Sequence, residues 1–159
     1  MKTPFRSIAS RIGLGLIAVT LASCAGAKFN RDWDAAVAAH QSGETAKSPV
    51  EGPWTGTWLS HVNGHNGDLR CLVTPAEDGA DSTYDFRYHA TWGSFFQGGF
   101  TPQFTVKPDG KRGLRVKGEE DLGIFGSFQH DGWIKGDTFE ATYASDMGDH
   151  GVFELARPE

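Results

Sequence analysis

The sequence predicts an all-β domain. The expectation is an eight-stranded antiparallel up-and-down β-barrel over residues 52–159, preceded by a leader, a short helix and a linker. Three observations carry it. Aromatic residues make up 12% of the 159-residue chain and glycines number 21, a pairing that suits short strands and tight turns better than helices. From Trp54 onward no helical period of useful length occurs, whereas apolar and polar residues alternate. Each alternating run is bounded by Gly, Asn, Asp or Pro. The length fits one domain.

Residues 1–23 carry a basic start (Lys2, Arg6, Arg11) and an apolar run from Ile12 to Leu21. This has the anatomy of a signal peptide and is too short to span a bilayer comfortably. It ends in Leu21-Ala-Ser-Cys24, which resembles the bacterial lipobox. The resemblance implies that Cys24 is lipidated, with acyl chains such as palmitate, and becomes the mature N-terminus. Several buried chains are needed for stable attachment. Ala25 after the cysteine, by resemblance to Gram-negative lipoproteins, implies an outer-membrane lipoprotein facing the periplasm. A plain secretory signal with an incidental cysteine is the alternative.

Residues 24–51 are expected to be the lipidated cysteine, a short helix and a linker. Asn30 is placed to cap a helix from Arg31 to about His40, with Asp32 and Asp34 in its first turn, where the helix dipole favours acids. Trp33, Ala36, Val37 and His40 form one stripe at helical spacing. So short a helix needs a docking surface to persist. It reads as a spacer, with a lid as the alternative reading. Gln41 to Pro49 is polar linker.

Eight strands follow, at 54–61, 68–74, 83–92, 97–106, 112–118, 124–135, 138–145 and 150–157. Their joints are Asn63-Gly64, Asp78-Gly79, Trp92-Gly93, Asp109-Gly110, Asp121 to Gly123, Gly136-Asp137 and Asp146 to Asp149. Laid flat, such strands expose two edges; closing the sheet removes them. Alternation puts Trp54, Gly56, Trp58 and Ser60 on one face. Leu69, Cys71 and Val73 share a face, as do Tyr84, Phe86, Tyr88, Ala90 and Trp92, with Asp85, Arg87 and His89 opposite. Phe100, Pro102, Phe104 and Val106 form another set, followed by Phe139, Ala141 and Tyr143, then Phe153, Leu155 and Arg157. These are the expected interior. An eight-stranded barrel is just wide enough to be filled by side chains or to hold one small ligand, and so much aromatic volume favours a mostly filled one.

Gly52-x-Trp54 at the start of the first strand, the meander, and Arg157 at the end of the last resemble the calycin pattern of lipocalins and avidins. That resemblance implies that Arg157 packs across Trp54 at the closed end, a cation–π contact of about 0.5–2 kcal/mol. The run Trp58-x-Ser60-x-x-Asn63-Gly-His65-x-Gly67-x-Leu69-Arg-Cys71, with Tyr88-His-Ala-Thr-Trp92 and Asp149-His-Gly-x-Phe153, resembles a group of uncharacterised bacterial lipoproteins, which carries no activity to transfer.

Loops 62–67, 93–96, 119–123 and 146–149 are expected at the end opposite Trp54 and Arg157. They and their neighbours bring together His61, Asn63, His65, Asn66, Trp92, Phe95, Phe96, Glu119, Glu120, Asp121, Asp146, Asp149 and His150. Closure places His150 beside the first hairpin, near His65. His61, Asn63, His65, Trp92, Asp149 and His150 are the candidates for a ligand or metal end. Imidazole and carboxylate suit Zn²⁺, but no His-x-x-x-His or paired cysteines support a metal. The competing reading is that Asn63, His65, Asp149 and His150 cap turns.

With residues 1–23 removed, 12 basic and 20 acidic residues remain, a net charge of −8, which is unsuited to nucleic acid or anionic lipid. Cys71 has no partner once Cys24 is consumed, so no internal disulfide forms, and it reads as an inert buried thiol. No Gly-x-Ser-x-Gly, nucleotide loop or carboxylate pair suggests an enzyme, and no cofactor is expected. The leading expectation is a lipid-anchored, non-enzymatic envelope barrel that binds a small apolar or amphipathic ligand or an envelope component. A protein–protein module of the inhibitor kind and a metal-binding protein are the alternatives.

Overall fold

The computed structural model describes residues 12–44, 46–77, 81–93, 96–121, 123 and 126–159. The chain divides into two units, residues 1–32 and 33–159. Helix α1 (Ile12–Gln41) runs across that division. It is continuous through Asn30, which therefore lies inside the helix rather than capping it. Within the first unit Lys28 reaches Asp32 at 2.6 Å. This is an exposed i,i+4 pair of the kind that adds only a few tenths of a kcal/mol. Among the described residues no helix is long and apolar enough to cross a membrane.

The second unit is a closed barrel. Its strands are β1 (Gly52–Ser60), β2 (Asn66–Pro75), β3 (Thr83–Trp92), β4 (Phe96–Phe100), β5 (Gln103–Pro108), β6 (Leu114–Asp121), β7 (Ser127–Lys135), β8 (Thr138–Ser145) and β9 (His150–Ala156). All pairings are antiparallel, and β1 closes the ring by pairing with both β2 and β9. Eight strands form the ring and β4 is extra, bonded to β3 alone. The stretch expected as one strand, 97–106, is thus broken at Thr101-Pro102. Both pieces keep one register against β3, with Tyr84 opposite Phe104 and Tyr88 opposite Phe100. Pro102 lacks the N–H a ladder needs, yet its carbonyl accepts from the Phe86 N–H at 2.9 Å.

Other boundaries move by a few residues. Gly52 and Pro53 belong to β1 and His61 leaves it. Asn66 and Gly67 open β2, and Glu119, Glu120 and Asp121 are strand rather than loop. The Asp78-Gly79 joint, Phe95 and the start of the 124–135 strand lie outside the described residues, as does the side chain of Phe96.

Side chains fill the interior. Trp54, Cys71 and Phe86 have no exposed surface, and Leu69, Val73, Tyr88, Phe104, Val116, Ile134 and Phe139 are almost as buried. Ring contacts run continuously up the barrel. Trp54 meets Phe139 edge-on at 5.9 Å, Phe139 meets Phe86, Phe86 meets Tyr88, and Tyr88 meets Phe153, which touches Tyr143 at 5.1 Å. Each such pair adds about 0.5–1.5 kcal/mol beyond its buried area.

At the base the Arg157 guanidinium stands 3.7 Å from the centroid of the Trp54 ring. It donates to the carbonyls of Pro53 at 3.1 Å and Pro49 at 2.7 Å. Burial pulls its pKa down to about 10, with Asp137 opposing, so it stays charged at neutral pH. Gly52 has φ +102°, and a Cβ there would come within 3.2 Å of Arg157 Nη1. Only glycine both takes that backbone and leaves the arginine its place.

Residues 33–51 are a packed part of the barrel unit rather than a free linker. The Arg70 guanidinium lies 5.5 Å from the centre of buried Trp33. Gln41 donates to the carbonyl of Glu159. Val50 is buried, and its carbonyl accepts from the Trp54 indole N–H at 2.9 Å. Tyr84 donates its hydroxyl proton to Ser48 at 3.1 Å.

Candidate functional site

The end opposite Arg157 is built by the β1–β2 turn, the β8–β9 turn and the strand ends feeding them. Chain alternation delivers Ser60 to the interior at the top of β1, where it is buried. Its hydroxyl donates to Asp149 Oδ1 at 2.6 Å, a short charge-assisted bond of the strong kind. Tyr143 donates to the other carboxylate oxygen at 3.5 Å. Burial and the Asp149 charge push the Tyr143 phenol up to about 12, so it remains a donor. Asp149 therefore ties the β8–β9 turn to β1 and β8.

The backbone repeats that tie. The His61 N–H donates to the His150 carbonyl at 2.8 Å, and the Ser60 N–H donates to that of His65 at 2.8 Å. The ring that meets His150 is that of His61, edge-on at 5.9 Å. Asn63 Oδ1 accepts from the His65 N–H at 2.8 Å, and Gly64 takes φ +72°, an Asx turn with the αL residue it favours. Asp146 and Asp121 likewise accept from the backbone N–H groups of Ser127 and Gly123. Asn63, Asp121 and Asp146 thus hold turn backbone through their side chains, and Asp149 holds Ser60. Among the described residues no three His, Cys, Asp or Glu side chains are grouped as a metal ion would require.

Trp92 lies at the same end, at the top of β3, its ring 6.5 Å from Trp58 in an edge contact. Trp58 donates its indole N–H to the Thr91 carbonyl at 3.0 Å. That carbonyl sits so close to Gly67 that a Cβ on Gly67 would come within 1.7 Å of it. A shallow groove of about 970 Å³ borders this end, lined mostly by polar side chains, His61, Gln129, Thr142 and His150 among them. His89 is buried on the face away from the core residues of β3, with Arg70 Nη2 3.4 Å from its Nδ1. Burial, helped by the arginine, lowers its pKa.

One functional-type residue escaped the sequence reading. His130 on β7 points into the barrel and is 3% exposed. It stacks on Phe104 at 4.7 Å and packs against Phe153 at 5.0 Å. Its Nε2 shares a 3.3 Å hydrogen bond with the Tyr88 hydroxyl, which is also within reach of the Cys71 thiol. Burial drives His130 down to about 4 and lifts both Tyr88 and Cys71 well above their ordinary ranges. All three are neutral at physiological pH and sealed from solvent, so they form a structural polar row. The signal was present: Phe128, His130, Gly132 and Ile134 share one parity on β7.

Comparison of the chain with protein-family models, characterised proteins and solved structures finds no match.

Proposed function

We propose that the chain is a lipid-anchored, non-enzymatic protein of the bacterial cell envelope that works through its surface, binding another envelope component at the end of the barrel that carries His61, His65 and His150. The observation that carries this reading is the filled interior. A barrel that stores a ligand keeps space among its inward side chains, whereas here Trp54, Phe86, Tyr88, Phe104 and Phe139 meet across it. Within the earlier expectation of ligand or envelope component, the packing favours the component. The titratable groups His130, Tyr88 and Cys71 are shut inside, which supports a non-enzymatic role.

The lipobox resemblance supports the anchor, and the docking of residues 33–51 limits its reach. Eight residues separate Cys24 from Trp33, a span of no more than about 30 Å even when fully extended. An anchored barrel would work close to its membrane, on a component found there. The calycin likeness of Gly52-x-Trp54 and Arg157 belongs to this proposal as a likeness of architecture alone.

The test is Cys24→Ser in the native host, with metabolic labelling by a palmitate analogue. The wild-type chain is expected in the membrane fraction and labelled; the variant is expected unlabelled and released to the soluble fraction. An unlabelled wild type, or a variant still in the membrane, would refute the anchor.

A further inference from the structure

Among the described residues the exposed large hydrophobics are Leu59, Val62 and Met147, at 39%, 57% and 70% exposure. They are not scattered. Leu59 is the last residue but one of β1, Val62 lies in the β1–β2 turn and Met147 in the β8–β9 turn, and these elements are neighbours through the β1–β9 ladder. Single exposed apolar residues are ordinary, but apolar residues gathered on adjoining turns mark an interaction surface.

Charge decides what kind of partner that surface takes. Lysine and arginine are absent from residues 58–69, 88–106, 118–134 and 136–156, which include the strand ends and turns of this end of the barrel. Carboxylates are present there: Glu119, Glu120 and Asp121 at the end of strand β6, and Asp146 and Asp149 in the β8–β9 turn. Among the described residues Lys117, one position below Gly118 on β6, is the one cation lining the groove at this end, while Arg157 lies at the base against Trp54. With five carboxylates, Glu119, Glu120, Asp121, Asp146 and Asp149, against Lys117, the apolar tip is set in a net negative field. Anionic lipid would be repelled. A second copy meeting tip to tip would set carboxylates against carboxylates, which disfavours self-association.

We infer that Val62 and Met147 form the contact tip of a docking surface for a cationic protein whose basic residues ring an apolar depression. This rests on the surface reading proposed above and narrows its partner. The apolar side chains supply the desolvated centre of the contact. The carboxylates steer the encounter and exclude acidic competitors.

Site-specific photocrosslinking in the native host tests it with the full-length chain. A benzophenone amino acid is placed at Val62, at Met147 and, as a control on the outer face of β8, at Glu140. The expected result is one net-positive protein crosslinked from both tip positions and not from Glu140. The yield should fall at least tenfold in a Glu119→Lys, Asp121→Lys background whose circular dichroism matches the parent. Crosslinks to lipid, to a second copy or to an acidic protein would overturn the cationic partner while keeping the surface reading. So would a yield unmoved by charge reversal. No crosslink from the tip, or equal yield from Glu140, would overturn both.

Discussion

Trp54→Ala is expected to cost the barrel about 4 kcal/mol of folding stability, the middle of the range for removing a large buried aromatic. Three losses add at this position. The fully buried indole leaves a void against Phe139. The Val50 carbonyl loses its 2.9 Å donor, and Arg157 loses the ring beneath its guanidinium while staying partly buried and charged. The last matters most for mechanism, since a half-buried cation left with only the Pro53 and Pro49 carbonyls keeps its desolvation cost with less compensation. Trp54→Phe retains a ring under Arg157 and removes the indole N–H, so a smaller loss of about 1–2 kcal/mol is expected. Urea denaturation followed by circular dichroism measures both. Equal losses for the two variants would show that the ring–guanidinium contact contributes nothing.

Acidification between pH 6.5 and about 4 is expected to destabilise the protein through His130. The folded pKa is lowered to about 4, while the unfolded chain has the ordinary value of about 6.5. Below 6.5 the unfolded chain therefore binds a proton that the folded chain refuses, and stability falls with pH until His130 protonates in place. A shift of that size corresponds to about 3 kcal/mol. Its neighbours do not rescue the cation. Tyr88, Phe104 and Phe153 surround the ring as neutral groups, and Asp131 on the same strand opposes the shift but is held by Arg115 at 2.6 and 2.9 Å. His89, also lowered by burial, contributes with the same sign. Asp131 is pulled below its ordinary 3.8 by Arg115, so its own contribution is lost only at more acid pH. The check is the urea midpoint across this pH window for wild type and His130→Leu. The variant should lose most of the slope; an unchanged slope would remove His130 from the account.

The barrel was legible in the sequence because its interior is made of residues whose alternation survives on the page. Phe86 and Tyr88, Phe139 and Tyr143, and Phe153 and Leu155 are large and apolar, and they alternate with polar neighbours, so each strand announces its face. β7 is different. Its inward set contains His130 and Gly132, which read as polar and as a turn, and they become interior only because Phe104 fills the space beside one and Ala141 lies against the other. That information belongs to neighbouring strands. The break at Thr101-Pro102 was hidden for a related reason, since the register against β3 continues through it. The packing of residues 33–51 was hidden because polar side chains dock it. Gln41 reaches Glu159, Ser48 meets Tyr84, and Arg157 takes the Pro49 carbonyl, contacts more than thirty residues apart that no local pattern encodes.

The candidate end was legible in outline. Closure of β9 on β1 follows from counting strands, and it brings His150 to the first hairpin, where it meets His61. The role of Asp149 was not, because it depends on the buried Ser60 hydroxyl reaching across from β1. The apolar tip was missed because Val62 and Met147 are unremarkable in their own turns. They acquire meaning only when two turns far apart in sequence become neighbours and the surrounding charge is net negative.

The central claim is that the barrel is filled and acts from its surface. Native mass spectrometry of the protein extracted from its own host tests it most directly. The account predicts a mass equal to the chain from Cys24 plus its acyl modification, with no small molecule retained by the folded protein. A stoichiometric small-molecule adduct that survives gentle desolvation and is released on unfolding would contradict it.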